Sequence, residues 1–218
     1  MSSRSVYFGG RKGGATKTTT SHAVCLGAIL YKQPAAYVLT DPERELKETG
    51  RPYSVLDGRE PYQLANIIGN MDSHKNGWWI YDGGGNRPVF DAAMAEHVDL
   101  VILAFRDSGE DFDMVTKDME AYPHAIAWPC AWPTNEKAEH SAQHFIDDLS
   151  KAFPLRVIQT PFYFVNSAKE LVNTSLDNPS TPTRKAAKRA FEIVMEAFDT
   201  YAQHPQQGND RAAIQALA

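Results

Sequence analysis

Between a short apolar run, Val6-Tyr7-Phe8, and an apolar helical pattern at residues 23–30 lies Gly9-Gly10-Arg11-Lys12-Gly13-Gly14-Ala15-Thr16-Lys17-Thr18-Thr19-Thr20. A buried strand that empties into a glycine-rich turn and then a helix narrows the choice of fold, because so apolar a helix must lie against a sheet. The same order makes an anion cradle. A helix N-terminus offers unpaired N–H groups and partial positive charge. Glycines let the backbone approach phosphates, a lysine adds a full charge, and a hydroxyl can ligate Mg²⁺.

The rest of the chain repeats that alternation. Ala23, Leu26, Gly27 and Leu30 share one helix face, widened by Val24 and Ile29. Residues 36–39 read as a second strand delivering Thr40-Asp41-Pro42, and residues 43–59, polar with scattered Gly and Pro, read as loop. A short helix is expected at 61–68. Trp78-Trp79-Ile80-Tyr81 reads as a third strand, ending at Asp82-Gly83-Gly84-Gly85-Asn86, and Pro88 suits the first turn of a helix to about His97. Residues 100–105 have the continuous apolar character of a strand buried on both faces. Ser108 and Asp111 form a capping pair for the next helix. A fifth strand is expected at 124–128, with Pro129 and Pro133 in a rigid loop. An amphipathic helix through Ala138, Ala142, Phe145 and Leu149 follows, then a sixth strand at 156–159. A linker at 178–182 leads to a last helix at 184–201.

No hairpin signal joins adjacent strands, so the predicted fold class is α/β: a three-layer sandwich, a mostly parallel twisted sheet with helices on both faces. Its ligand crevice lies at the carboxyl ends of the strands, where residues 9–18, Asp41 and Asp82 share one rim. The length suits a single domain over residues 1–218, with the tail from about 204 set apart as a flexible end. A formal charge of -5 excludes a uniformly cationic surface but allows a local basic patch. Cys25 and Cys130 make neither a disulfide framework nor a thiol metal site. His140 and His144, four apart, lack a third ligand and read as a solvated pair. Without a signal segment or a run of about 18 apolar residues, a cytoplasmic protein is expected.

A plain Walker A pattern fails, because Thr16 stands where a glycine precedes the lysine and Arg11 where the first glycine belongs. What remains, Lys12-Gly13-Gly14-Ala15-Thr16-Lys17-Thr18-Thr19, resembles the deviant Walker A motif of the ParA/MinD P-loop NTPases, which position plasmids, chromosomes and other cargo in bacteria. Lys12 matches the signature lysine of that motif and Lys17 the usual one. Asp41-Pro42 resembles the Asp-Pro after the second strand, Asp82 the acidic residue ending the third, and residues 98–103 the next strand. The similarity covers most of residues 5–165, although only the loop is specific. It points toward small ParA proteins without an N-terminal helix-turn-helix domain.

The resemblance implies that Lys12, Gly13, Gly14, Ala15, Thr16, Lys17, Thr18 and Thr19 bind ATP or ADP. Thr18 would ligate Mg²⁺, with Asp82 holding it through water. Asp41 would orient the attacking water, and Lys12 would reach the partner's ATP in a sandwich homodimer that hydrolysis dissolves. It also implies slow ATPase activity stimulated by a cargo adaptor protein, non-specific DNA binding, and nucleoid association when ATP is bound. Arg184, Lys185, Lys188 and Arg189 form the candidate DNA patch, or else a solvated helix face. The tail at 209–218 is too weakly amphipathic for MinD-like membrane binding.

Four departures stand out. Thr16 replaces glycine and, being β-branched, is expected to keep an ordinary backbone angle. Leu39 replaces an aspartate and Glu43 a common glutamine. Gly83-Gly84-Gly85 replaces a Thr-Pro-Pro type segment, so a looser second switch is expected. Two other functions stay open: a ligase of the dethiobiotin synthetase type that uses ATP to activate a small carboxylate, and a non-hydrolysing nucleotide-dependent binding module.

Overall fold

A computed structural model describes residues 3–14, 16–71, 76–163, 166–173 and 175–202; Ala15 and the tail expected to be flexible lie outside them. The strands are β1 (Arg4–Gly9), β2 (Ala35–Leu39), β3 (Ser54–Asp57), β4 (Trp78–Asp82), β5 (Leu100–Phe105), β6 (Ile126–Trp132) and β7 (Phe162–Tyr163). The helices are α1 (Lys17–Leu30), α2 (Pro61–Asn70), α3 (Pro88–His97), α4 (Gly109–Ala121), α5 (Glu136–Ala152), α6 (Ala168–Asn173) and α7 (Thr181–Tyr201). The strands form a 7-stranded sheet in the order β3-β2-β4-β1-β5-β6-β7, and every pairing is parallel.

Both faces of the sheet are covered. Successive strand side chains point to opposite faces, so Val6, Phe8, Tyr37, Leu39, Trp78 and Ile80 join a core with α1 and α7. Tyr7, Val38, Trp79, Tyr81 and Val101 join a second core with α2, α3, α4 and α5. The central strands therefore read as continuous apolar runs without polar alternation.

Several local expectations are corrected. The segment read as loop contains β3, an edge strand paired only to β2, from Ala36↔Ser54 to Leu39↔Asp57. Its residues are exposed or half-buried, so it carries little hydrophobic signal. β6 continues through Pro129, which stands opposite Phe105 at the last register position of β5. At the end of a neighbour the missing N–H costs little. The sixth strand is not at 156–159, where Val157 makes only an isolated bridge to Ala127; β7 follows at Phe162–Tyr163. Helix α7 starts inside the expected linker, with Pro182 in its first turn and Ser180 Oγ accepting from Thr183 N. The Ser108 cap of α4 forms as expected, its hydroxyl accepting from Asp111 N.

Helix α1 is held down by α7 at unusually close range. A Cβ added to Gly27 would stand 2.2 Å from the Ala187 carbonyl oxygen and 2.5 Å from Phe191 Cβ. Alanine raises helix propensity by about 1 kcal/mol over glycine, but forcing two helices apart costs about 1–3 kcal/mol. Gly27→Ala is therefore expected to lower the urea midpoint, and a stabilised variant would contradict this close packing.

Candidate functional site

β1, β2 and β4 are neighbours whose carboxyl ends coincide: Asp82 stands opposite Phe8 on one side and Leu39 on the other. The turns leaving them therefore meet. Gly83 N donates to Phe8 O (3.0 Å), Thr40 N to Asp82 O (3.1 Å) and Asn86 N to Arg11 O (2.9 Å). An added Cβ on Gly84 would lie 3.1 Å from Asp41 Cγ, and one on Gly85 3.1 Å from Gly13 N. The glycine turn thus permits close approach of three segments. Gly83 and Gly84 are buried, and Gly85 is half-buried.

The rim encloses an open cleft of about 1010 Å³. Gly13, Gly14, Thr16, Lys17, Thr18 and Thr19 line one end, Asp41 and Arg44 a side, and Phe162, Tyr163 and Asn173 lie among its other lining residues. Thr16 sits at the N-cap of α1 and makes no side-chain cap, and the first turn of α1 carries no acidic residue. The leading N–H groups of α1 are left for an anion. The expectation of an ordinary backbone angle at Thr16 is overturned: φ is 66° and ψ 6°, left-handed. The loop needs that turn to bring its backbone into the helix, and a β-branched residue takes it at a cost of about 1–3 kcal/mol.

Lys17 is buried, and its Nζ donates to Lys12 O (2.7 Å) and Gly10 O (3.2 Å). Burial lowers its pKa, and the nearby charges of Asp82, Asp91 and Asp41 oppose that fall. Asp82 is wholly buried. Burial raises its pKa, while the hydrogen bond from Tyr37 and the proximity of the Thr18 hydroxyl work the other way. Its Oδ2 accepts from Tyr37 OH at 2.6 Å, and its Oδ1 has no hydrogen bond. A buried carboxylate oxygen without a donor, beside a threonine hydroxyl at a helix start, suits a hydrated divalent cation. Asp41, half-buried, accepts from Glu43 N (3.1 Å) and pairs with Arg44 (3.2 Å).

Lys12 is not among the residues that line this cleft. Its ammonium pairs with Glu110 in the first turn of α4. The candidate DNA residues Arg184, Lys185, Lys188 and Arg189 are all exposed on α7. Lys188 lies over the Tyr31 ring at 5.6 Å, and Arg189 pairs with Glu192 at 3.4 Å. His140 and His144 are exposed on α5. Among the described residues no helix is long and apolar enough to cross a membrane.

Sequence reasoning missed a polar layer behind the loop. Asp118 accepts from Arg11 N (2.9 Å), and the Arg11 guanidinium pairs with it at 3.0 Å. Asp91 accepts from Tyr7 OH, and burial raises its pKa to about 6. Arg87 lines the cleft and donates to Thr40 O at 2.6 Å, its guanidinium 3.8 Å from the Phe90 ring centroid. One signal was present: Asp118 follows Asp111 and Val115 at helical spacing on the buried stripe of α4, and Asp91 shares the buried face of α3 with Phe90 and Met94. A carboxylate on an apolar stripe must be paired or neutral.

No family model matches the chain, and no curated protein matches it. Solved structures do. An ATP complex of a McdA variant from Cyanothece shares 14% identity over 88% of this chain and 96% of that one, with a TM-score of 0.62. A putative plasmid partition protein from Borrelia burgdorferi bound to AMPPNP shares 10% over 90% and 100%, at 0.63. Cobyrinic acid a,c-diamide synthase from Mycobacterium smegmatis with ADP and magnesium shares 13% over 94% and 99%, also at 0.63. The chain has the fold of these P-loop proteins, ATPases of the ParA/MinD type among them.

Proposed function

We propose that this chain is a ParA-like ATPase, binding ATP with Mg²⁺ in the cleft and using an ATP-dependent homodimer to position a cargo. The observation that carries this reading is the pairing of an uncapped α1 N-terminus around a buried Lys17 with a buried Asp82 whose Oδ1 has no donor. The N–H groups at the start of α1 and the Lys17 ammonium bind the phosphates, with Gly13, Gly14, Thr16 and Thr19 around them. Thr18 and Asp82 hold the metal, Asp82 through water; when bound, Mg²⁺ neutralises charge on the phosphates. Asp41, once released from Arg44, orients the attacking water. Arg44 and Arg87 add positive charge at the rim where negative charge develops.

Lys12 completes a partner's site only after leaving Glu110, so the dimer forms at the expense of an ion pair whose Glu110 side is exposed and whose Lys12 side is half-buried. Such a pair contributes about 0–1 kcal/mol, little enough for nucleotide to overcome. The α7 cations give weak, salt-dependent DNA contact, and an adaptor protein accelerates a slow basal hydrolysis. The similarity to a diamide synthase favours one second reading, ATP-dependent activation of a small carboxylate in the same cleft.

Light scattering with ATP and Mg²⁺ tests the first reading. The mass is expected to double, and in Asp41→Ala the dimer is expected to outlast that of the unsubstituted chain many-fold, because water is no longer oriented. An unchanged mass, with turnover appearing only when a small acid is supplied, would favour the synthase reading.

A further inference from the structure

The two oxygens of Asp82 have different surroundings. Oδ2 accepts the 2.6 Å hydrogen bond from Tyr37, whereas Oδ1 has no partner. β2 and β4 are adjacent, with Tyr37 opposite Ile80, so the phenol reaches diagonally to a residue two places further along. Tyr37 is itself fixed. It is 3% exposed, and its ring stacks on His22 with centroids 4.1 Å apart and planes at 16°. His22 Nδ1 is 2.8 Å from Tyr53 OH. Thr18 and His22 lie four apart on α1, so one helix face carries both the hydroxyl beside Asp82 and the imidazole that seats Tyr37.

We propose that Tyr37 is a positioning residue for the metal half of the nucleotide site, locking the Asp82 carboxylate in one orientation so that Oδ1 stays open to a metal-bound water. A carboxylate turns easily about its last torsion, which is broad and roughly two-fold, and a single short donor selects one setting. The proposal rests on the reading that the cleft takes ATP with Mg²⁺. It adds a residue that the phosphate-binding loop does not contain, contributed by the strand before Asp41.

The test compares Tyr37→Phe, Tyr53→Phe and Asp82→Asn with the unsubstituted chain, using N-methylanthraniloyl-ATP fluorescence in EDTA and across a Mg²⁺ titration. Tyr37→Phe is expected to keep its metal-free nucleotide affinity and to need about tenfold more Mg²⁺ for half-saturation, the usual scale for losing an outer-shell partner. Tyr53→Phe removes a buried hydroxyl from the same stack without touching Asp82, and is expected to leave the Mg²⁺ midpoint in place. An unshifted midpoint in Tyr37→Phe overturns the proposal. So does an equal loss with and without Mg²⁺, or an equal shift in Tyr53→Phe, since either reports packing alone. Should Tyr37→Phe fail to fold, Tyr37→Met takes its place with the same outcomes, and Asp82→Asn serves to show that the midpoint reports on that carboxylate. If the unsubstituted chain shows no Mg²⁺-dependent nucleotide binding, the ATPase reading fails together with the proposal. A normal Mg²⁺ response in that chain with none lost in Tyr37→Phe sinks the proposal alone.

Discussion

Lys17→Ala is expected to weaken ATP binding by about a hundredfold or more in calorimetric titration, with the variant still folded by circular dichroism. The ammonium sits in the curl of the loop, on the carbonyls of Lys12 and Gly10, where a β- or γ-phosphate would replace or share those acceptors. Charge-assisted hydrogen bonds contribute about 1.5–3 kcal/mol each, and two of them correspond to about two or more factors of ten in affinity. Lys17→Arg is expected to fail as well, because a planar guanidinium does not fit a space shaped for a point charge. Lys12→Ala separates the two lysines: its ion pair is peripheral, so monomer affinity should hold while dimerisation is lost. Near-native ATP affinity in Lys17→Ala would remove the phosphate role of the loop.

Acidification exposes a second large effect through His22. Its ring is buried between Tyr37 and Tyr53, and burial, reinforced by the positive charges of Arg51, Arg44 and Lys47, lowers its pKa to about 3 from 6.5. The folded state thus refuses a proton that the unfolded state accepts, so the stability from this group is whole above pH 6.5 and drains away as pH falls toward 3. Asp91 runs the opposite way. Its folded pKa of about 6 exceeds the ordinary 3.8, so its contribution is fully present below 3.8 and is lost as pH rises through 6. Between these values the two oppose each other in the unsubstituted chain. His22→Phe keeps a ring on Tyr37 and removes only the first. At about 1.36 kcal/mol per pH unit, the stability of His22→Phe relative to the unsubstituted chain should improve by about 3 kcal/mol from pH 7 to pH 4. Urea unfolding at both pH values measures that gap, and a constant gap would show that His22 titrates freely.

What could be read from the chain follows from how strongly each segment is constrained. β1, β4 and β5 lie inside the sheet and carry apolar residues on both faces, so composition betrays them. β3 has one neighbour and a half-exposed surface, and four residues of ordinary polarity leave no trace. Pro129 argued against a strand because the rule assumes a central position, whereas its partner β5 ends there. In the site, Lys17 and Thr18 were legible because a strand-to-helix turn forces them together, and Asp82 because it ends an apolar strand at the same edge of the sheet. Asp41 came from its place after β2. Tyr37 and Arg87 reach the site through sheet register and helix packing, which no local pattern encodes, whereas Asp91 and Asp118 were marked only as carboxylates on apolar helix stripes. At Thr16 the general steric rule was sound, and the loop overrode it.

The close seat of α1 against α7 has a consequence in time. The helix that begins at Lys17 finishes at Leu30, and the surface that covers it begins only at Thr181. At about 5–20 residues per second, a ribosome needs roughly ten to thirty seconds to deliver that cover. Until then Gly27 and the apolar flank around it face water or a chaperone, and the helix behind the loop packs on the sheet without its outer cover. The loop is therefore made well before the helix that seats α1, so an interrupted chain that stops short of α7 is not expected to hold nucleotide.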